Sequence, residues 1–156
     1  MAVFTVERRL VSHDADFTRS LGSALARAAR PGDVIALLGD LGAGKTQLAK
    51  GFGAGLGVSD VINSPSYVLM AEYAGRLPLF HLDLYRLDDA WDALAAGLLD
   101  ERQADGVTLI EWADRLHGAL PGVRLEVAFE GSGEEPRIIR IRALAESLRR
   151  YLEALP

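Results

Sequence analysis

Apolar residues recur along this chain with two different periods, and the switches between them mark out alternating strands and helices. Val3–Val11 alternates, with Val3, Thr5 and Glu7 against Phe4, Val6 and Arg8, which is the period-two pattern of a strand. Ser12 then offers a helix N-cap, and Phe17, Leu21, Leu25 and Ala28 return every three or four residues. That spacing predicts an amphipathic helix ending before Pro31-Gly32. Asp33–Leu38 is almost wholly apolar, as expected of a central strand covered on both faces. A Gly-rich turn follows, and Gln47–Leu56 reads as helix. After breaks at Gly57 and Asn63–Pro65, strands are predicted at Tyr67–Tyr73 and Leu77–Leu84, joined through Ala74-Gly75-Arg76. Residues 88–104 read as helix, weakened at Gly97, and Val107–Ile110 as another apolar strand before a short helix to about Leu120. Beyond Pro121-Gly122, Val123–Phe129 and Arg137–Arg142 alternate around Gly131-Ser132-Gly133, a second hairpin, and Leu144–Leu155 closes the pattern as an amphipathic helix. With no repeat or linker, the interleaving predicts one α/β domain over residues 1–156, three layers with a mixed central sheet flanked by helices.

The turn after Leu38 carries the strongest chemical signal. Gly39-Asp40-Leu41-Gly42-Ala43-Gly44-Lys45-Thr46 is a complete G-x-x-x-x-G-K-[ST] string, entered from an apolar strand and left by a helix, as a P-loop NTPase requires. Glycines permit backbone angles that turn successive N–H groups inward around phosphate oxygens, and the helix beginning near Lys45 points its positive dipole end at the same anion. Lys45 would reach the β- and γ-phosphates and the Thr46 hydroxyl would ligate Mg²⁺, with Gln47 completing the phosphate-binding turn. Composition sharpens this. Of 17 basic residues 15 are Arg, and only Lys45 and Lys50 are Lys. A compact ammonium fits between phosphates where a planar guanidinium does not.

Such a loop needs carboxylates at neighbouring strand tips. Glu111 follows the apolar run Val107–Ile110, and Asp83 follows Leu77–Leu82. Glu111 is assigned to the Mg²⁺ shell with Thr46, and Asp83 to polarising the attacking water or to the outer metal shell, with exchange of these two roles left open. His81 shares a strand face with Asp83 and is placed to hydrogen-bond that carboxylate or a phosphate-bound water; a core histidine is the plainer alternative. The loop Asn63–Tyr67, with hydroxyls at Ser64 and Ser66, lies where P-loop proteins often place a segment that senses the γ-phosphate.

The remaining composition narrows the class. Net charge is −5, apolar residues make up 49%, and there is no Cys, which removes disulfide frameworks, Cys-ligated zinc and thiol nucleophiles. No apolar run is long enough for a membrane helix, and residues 1–10 carry charges where a signal peptide would be apolar. The acidic balance argues against direct gripping of nucleic acid. From His81 to His117 there are nine acids against three Arg, a local charge of −6, which is either a solvated face or a docking surface for basic groups. The C-terminal Arg140, Arg142, Arg149 and Arg150 are offset by Glu146 and Glu153 and are not read as a tRNA site. The only Asn is Asn63, with no Asn-Lys-x-Asp base reader, so ATP is favoured over GTP. No Arg-rich lid stands out beyond Arg76 and Arg86, and 38 residues precede the loop, which weakens but does not remove a small-molecule kinase. A nucleotide sensor with negligible turnover is the other alternative.

In order and spacing, the P-loop string, Ser64-Pro65-Ser66-Tyr67, His81-Leu82-Asp83-Leu84-Tyr85-Arg86 and Ile110-Glu111-Trp112 resemble the TsaE (formerly YjeE) family, as do Thr18…Leu21-Gly22 and the chain length. The resemblance implies a cytoplasmic bacterial ATPase needed to make threonylcarbamoyl-adenosine beside the tRNA anticodon. It implies partnership with TsaD, the transferase, and TsaB, with tRNA met only indirectly. It makes Ser64–Tyr67 the switch-like loop, Thr46 and Glu111 metal-linked, Asp83 catalytic, and Trp112 a neighbour of the site. Two positions depart from the family pattern. Ser66 stands where Thr is common and keeps the hydroxyl. Glu134 follows Gly133 where some members carry a nucleotide-facing Arg, leaving Arg137 as the substitute.

Overall fold

The computed structural model describes residues 5–40, 42–62, 70–85 and 101–156. Seven strands form one mixed sheet: β1 (Val6–Ser12), β2 (Val34–Leu38), β3 (Met70–Tyr73), β4 (Leu79–Asp83), β5 (Val107–Glu111), β6 (Leu125–Glu130) and β7 (Arg137–Ala143). Their order across the sheet is β1-β7-β6-β2-β5-β4-β3. The four central strands β6, β2, β5 and β4 run parallel, while β1, β7 and β3 join antiparallel. Parallel strands need crossover connections and covered faces, which is why β2, β4 and β5 are mostly apolar, with His81 and Thr108 the polar residues inside the latter two.

The pleat sorts side chains into two buried clusters. Ile35, Leu37, Leu79, Val107, Leu109, Leu125 and Val127 face α1 (Ala15–Ala26) and α2 (Lys45–Gly55), meeting Leu21, Leu25, Leu48 and Phe52. Ala36, Phe80, Leu82 and Ile110 face the opposite side and meet Ala113 and Leu116. α1 and α2 touch through their backbones, because a Cβ on Gly51 would lie 1.8 Å from Arg19 O and one on Gly22 would lie 2.2 Å from Leu48 O. The Ser23 hydroxyl donates to Gly51 O across the same seam at 2.9 Å.

Several local expectations are corrected. Asp14, not Ser12, caps α1, its carboxylate accepting from Phe17 N at 2.8 Å. Ser12 instead ends β1 and pairs its hydroxyl with Thr18 Oγ1 at 2.7 Å. The short helix expected before Leu120 is present as a 3-10 helix, Ala113–Ala119. The expected Leu144–Leu155 helix shrinks to a 3-10 turn at Glu146–Leu148 and α3 (Arg149–Glu153), because Leu144 N is still held to the sheet edge by Arg124 O at 3.1 Å. Of the helix expected at 88–104, only a 3-10 turn, Glu101–Asp105, falls among the described residues. Among those residues no helix is long and apolar enough to cross a membrane.

Candidate functional site

The C-terminal edge of the parallel strands is where β2 hands over to α2. Gly44 occupies the N-cap position of α2 with φ +112, and no side chain caps the helix. The first-turn amides of a helix have no intrahelical acceptor, so those at the start of α2 are available to an anion. Gly39, with φ +147, passes so close to β6 that a Cβ would meet Phe129 Cβ and O at 3.0 Å. The carbonyls of Gly42 and Ala43 meet Arg137, whose guanidinium donates to Ala43 O at 3.2 Å and Gly42 O at 3.3 Å, and also to Gly133 O between β6 and β7 at 3.0 Å. Arg137 therefore holds the loop through its carbonyls. Asp40 lies on this turn and accepts the amide of Ala43 through its backbone carbonyl at 3.1 Å. Leu41 lies outside the described residues.

Lys45 is only 4% exposed. Its ammonium donates to Gly39 O and sits 3.6 Å from the centre of the Trp112 ring. Burial pushes its pKa below the ordinary lysine value, and Glu111, Asp83, Asp114 and Asp40 pull the other way. Trp112 takes a left-handed φ of +58, the only such non-glycine residue among those described, and this bend turns its ring back over Lys45 immediately after β5 ends. Tyr85 stacks obliquely on it, centroids 4.9 Å apart.

Thr46, next along α2, donates its hydroxyl to Glu111 Oε1 at 3.3 Å. Asp83 is directly opposite Glu111 in the parallel register of β4 and β5, so the two strand-end carboxylates stand side by side. Asp83 also accepts the amide of Tyr85 at 3.1 Å. His81 pairs with Glu111 rather than Asp83, its Nε2 lying 2.6 Å from Glu111 Oε2. The reason lies in reach: Glu111 is the diagonal neighbour of His81 across the strands and its longer side chain spans that gap, whereas Asp83 is one methylene shorter and accepts the amide of Tyr85.

Two cavities flank the loop. One of about 290 Å³ is lined by Gly42, Gly44, Lys45, Thr46, Gln47, Asp83, Glu111 and Trp112. The other, of about 440 Å³, is lined by Ser12, His13, Asp14, Ala15, Thr18, Gly42, Ala43, Gly44, Gln47, Gly133, Glu134, Glu135 and Arg137. Gln47 borders both and is held by Arg19 Nη1 at 2.6 Å.

The family model of the threonylcarbamoyl adenosine biosynthesis protein TsaE matches residues 12–139, nearly the whole of this arrangement. The chain belongs to the TsaE family. It is 40% identical over 139 residues to the tRNA threonylcarbamoyladenosine biosynthesis protein TsaE of Bacillus subtilis, covering 88% of this chain and 87% of that one. It is 38% identical to the protein of the same description from Treponema pallidum, covering 81% and 96%. Its fold is similar to the crystal structure of YdiB of Bacillus subtilis, with TM-score 0.81, 31% identity, and coverage of 97% and 95%. Relative to the TsaE motifs, the structure brings Lys45, Thr46, Asp83, Glu111 and Trp112 to one cavity. Ser64, Ser66, Tyr67 and Arg86 lie outside the described residues. Sequence reasoning missed the wall formed by Ser12, Asp14 and Thr18. It comes near the loop where Gly22 and Gly51 let α1 lie against α2, and Thr18 and Gly22 in the family pattern were its trace in the sequence.

Proposed function

We propose that this chain is a Mg²⁺-dependent ATP-binding and ATP-hydrolysing switch subunit, acting in the cytoplasm with TsaB and TsaD to make threonylcarbamoyl-adenosine in tRNA. The observation that carries this reading is the placement of Lys45 and Thr46 at the uncapped start of α2, facing two strand-end carboxylates across one cavity. The loop amides cradle the β-phosphate, and Lys45 bridges the β- and γ-phosphates as a point charge, exchanging Trp112 and Gly39 O for phosphate oxygens. The larger neighbouring cavity has room for the adenosine part, with Ser12, Thr18 and Gln47 as polar contacts.

The donor set suits Mg²⁺, a hard ion that keeps water and phosphate oxygens and takes only one or two protein ligands. The Thr46 hydroxyl and Glu111 carboxylate, already bonded to each other, would hold it, and Asp83 stands beside them. When bound, the ion neutralises charge developing on the β–γ bridge. Asp83 orients the water and takes its proton as the water oxygen bonds to the γ-phosphorus and the bond to the β–γ bridging oxygen breaks, giving ADP and phosphate.

The test is tRNA modification reconstituted with TsaB, TsaD, ATP and Mg²⁺. Modification and release of free phosphate should both require this chain, and Lys45→Ala should abolish them together with ATP binding. Full ATP binding by the Lys45→Ala protein, or phosphate delivered to an added metabolite instead of water, overturns the proposal.

A further inference from the structure

The buried histidine under the carboxylates has no part in the reaction just described, yet its geometry is specific. His81 is fully buried, with Nε2 2.6 Å from Glu111 Oε2. The other oxygen of the same carboxylate accepts from Thr46 at 3.3 Å. Because a carboxylate oxygen accepts, Nε2 carries the hydrogen in this bond. The remaining ring nitrogen, Nδ1, is buried with no hydrogen-bond partner among the described residues. A ring present only to fill space would be better served by Phe, which has no polar atom to bury. The gain that offsets the orphaned Nδ1 is therefore the single bond to Glu111.

We propose that His81 is a positioning residue: it fixes the plane of the Glu111 carboxylate so that Oε1 is aimed at Thr46 and at the metal ion that pair would hold. The terminal torsion of a glutamate is broad and nearly two-fold, so one bond from Thr46 leaves the carboxylate free to swivel. A second bond, from β4 below, removes that freedom. Partners behind a metal ligand commonly govern metal affinity by about 10–100-fold without touching the ion. The inference rests on the proposed Mg²⁺ role of Thr46 and Glu111.

The test compares wild type, His81→Phe and His81→Gln, the last keeping an N–H donor near the position of Nε2. ADP binding is measured calorimetrically in EDTA and across a Mg²⁺ titration. His81→Phe should bind ADP within about twofold of wild type in EDTA but need about 10–100-fold more Mg²⁺ for half-saturation, and His81→Gln should recover most of that loss. A wild-type Mg²⁺ requirement in His81→Phe overturns the inference alone. Absence of any Mg²⁺ dependence in wild type overturns the metal reading and the inference with it. A measurement on the unaltered protein covers the case in which the variants do not fold. The two-bond ¹H–¹⁵N spectrum should show a hydrogen on Nε2 of His81, and a bare Nε2 overturns the proposal.

Discussion

Gly51 lies in the middle of α2, where replacement by Ala should raise intrinsic helix stability by about 1 kcal/mol. The tertiary structure opposes it. An added Cβ would lie 1.8 Å from Arg19 O and 2.6 Å from Arg19 C, against an ordinary contact distance of 3.4 Å or more, so α2 would have to retreat by about 1.6 Å from α1. The obstacle is helical backbone and cannot rotate away, which puts the cost near the upper end of the usual overpacking range, about 3 kcal/mol. The net effect is a loss of about 2 kcal/mol, or roughly 4–8 °C in melting temperature for a chain of this size. Gly53→Ala is the matched control on the same helix. There the Cβ meets Ile62 Cδ1 at 1.9 Å, the tip of a side chain that can move, so an off-rotamer cost of about 1 kcal/mol roughly cancels the propensity gain. Thermal melts by circular dichroism distinguish the two, and ADP titration well below the transition reports whether the retreat also disturbs Lys45 and Thr46 at the head of α2. A Gly51→Ala protein that melts at or above the Gly53→Ala protein would refute the argument.

Other expectations follow from charge and hydrogen bonding. Between the lowered pKa of Lys45 and the ordinary 10.5, the folded chain has released a proton that the unfolded chain still holds, so stability rises with pH there while phosphate affinity falls. With only two lysines, a ¹³Cε spectrum follows this directly after assignment with Lys50→Arg, and titration of Lys45 at or above 10.5 contradicts it. Tyr151→Phe removes a buried 2.6 Å bond to Asp33, which keeps Arg150 and the amide of Arg30, so the loss should be about 1.5 kcal/mol, or roughly 3–6 °C. In the wild type, burial first and Asp33 second push that phenol well above the ordinary tyrosine range, so one of the four tyrosines should resist ultraviolet titration until the protein unfolds. Arg137→Ala should weaken ADP binding about tenfold by releasing the carbonyls of Gly42 and Ala43, and Arg137→Lys should not restore it, because one ammonium cannot span both; an unchanged affinity rejects that role.

What could be read from the sequence was what is local. The apolar runs of β2, β4 and β5, the acids that end the latter two, and the glycine string between β2 and α2 each declare themselves within eight residues, and parallel pairing brings them to one edge. What escaped depends on adjacency between distant segments. His81 chose Glu111 because the longer glutamate side chain reaches diagonally from the adjacent strand, a neighbour that the sequence alone does not reveal. Asp14 displaced Ser12 as the cap because β1 runs one residue further than its alternation indicated, taking Ser12 into the strand where the helix was expected to start. Arg137 reached the glycine-rich turn before α2 from the start of β7, a position that only the family resemblance had singled out. The left-handed bend at Trp112 had no sequence signal, since glycine is the residue that ordinarily marks such a bend.

That bend has a consequence for anyone improving the protein. A bulky residue in the left-handed region costs about 1–2 kcal/mol, and the indole's contacts with Lys45, Tyr85 and the buried side chains packed against it offset that cost. Gly at 112 would relieve the torsion but lose the packing of a tryptophan, which is worth more, so it should lower the melting temperature. The strain at this position is therefore a poor target for thermostabilisation, because the side chain that makes the torsion costly is the one that holds it.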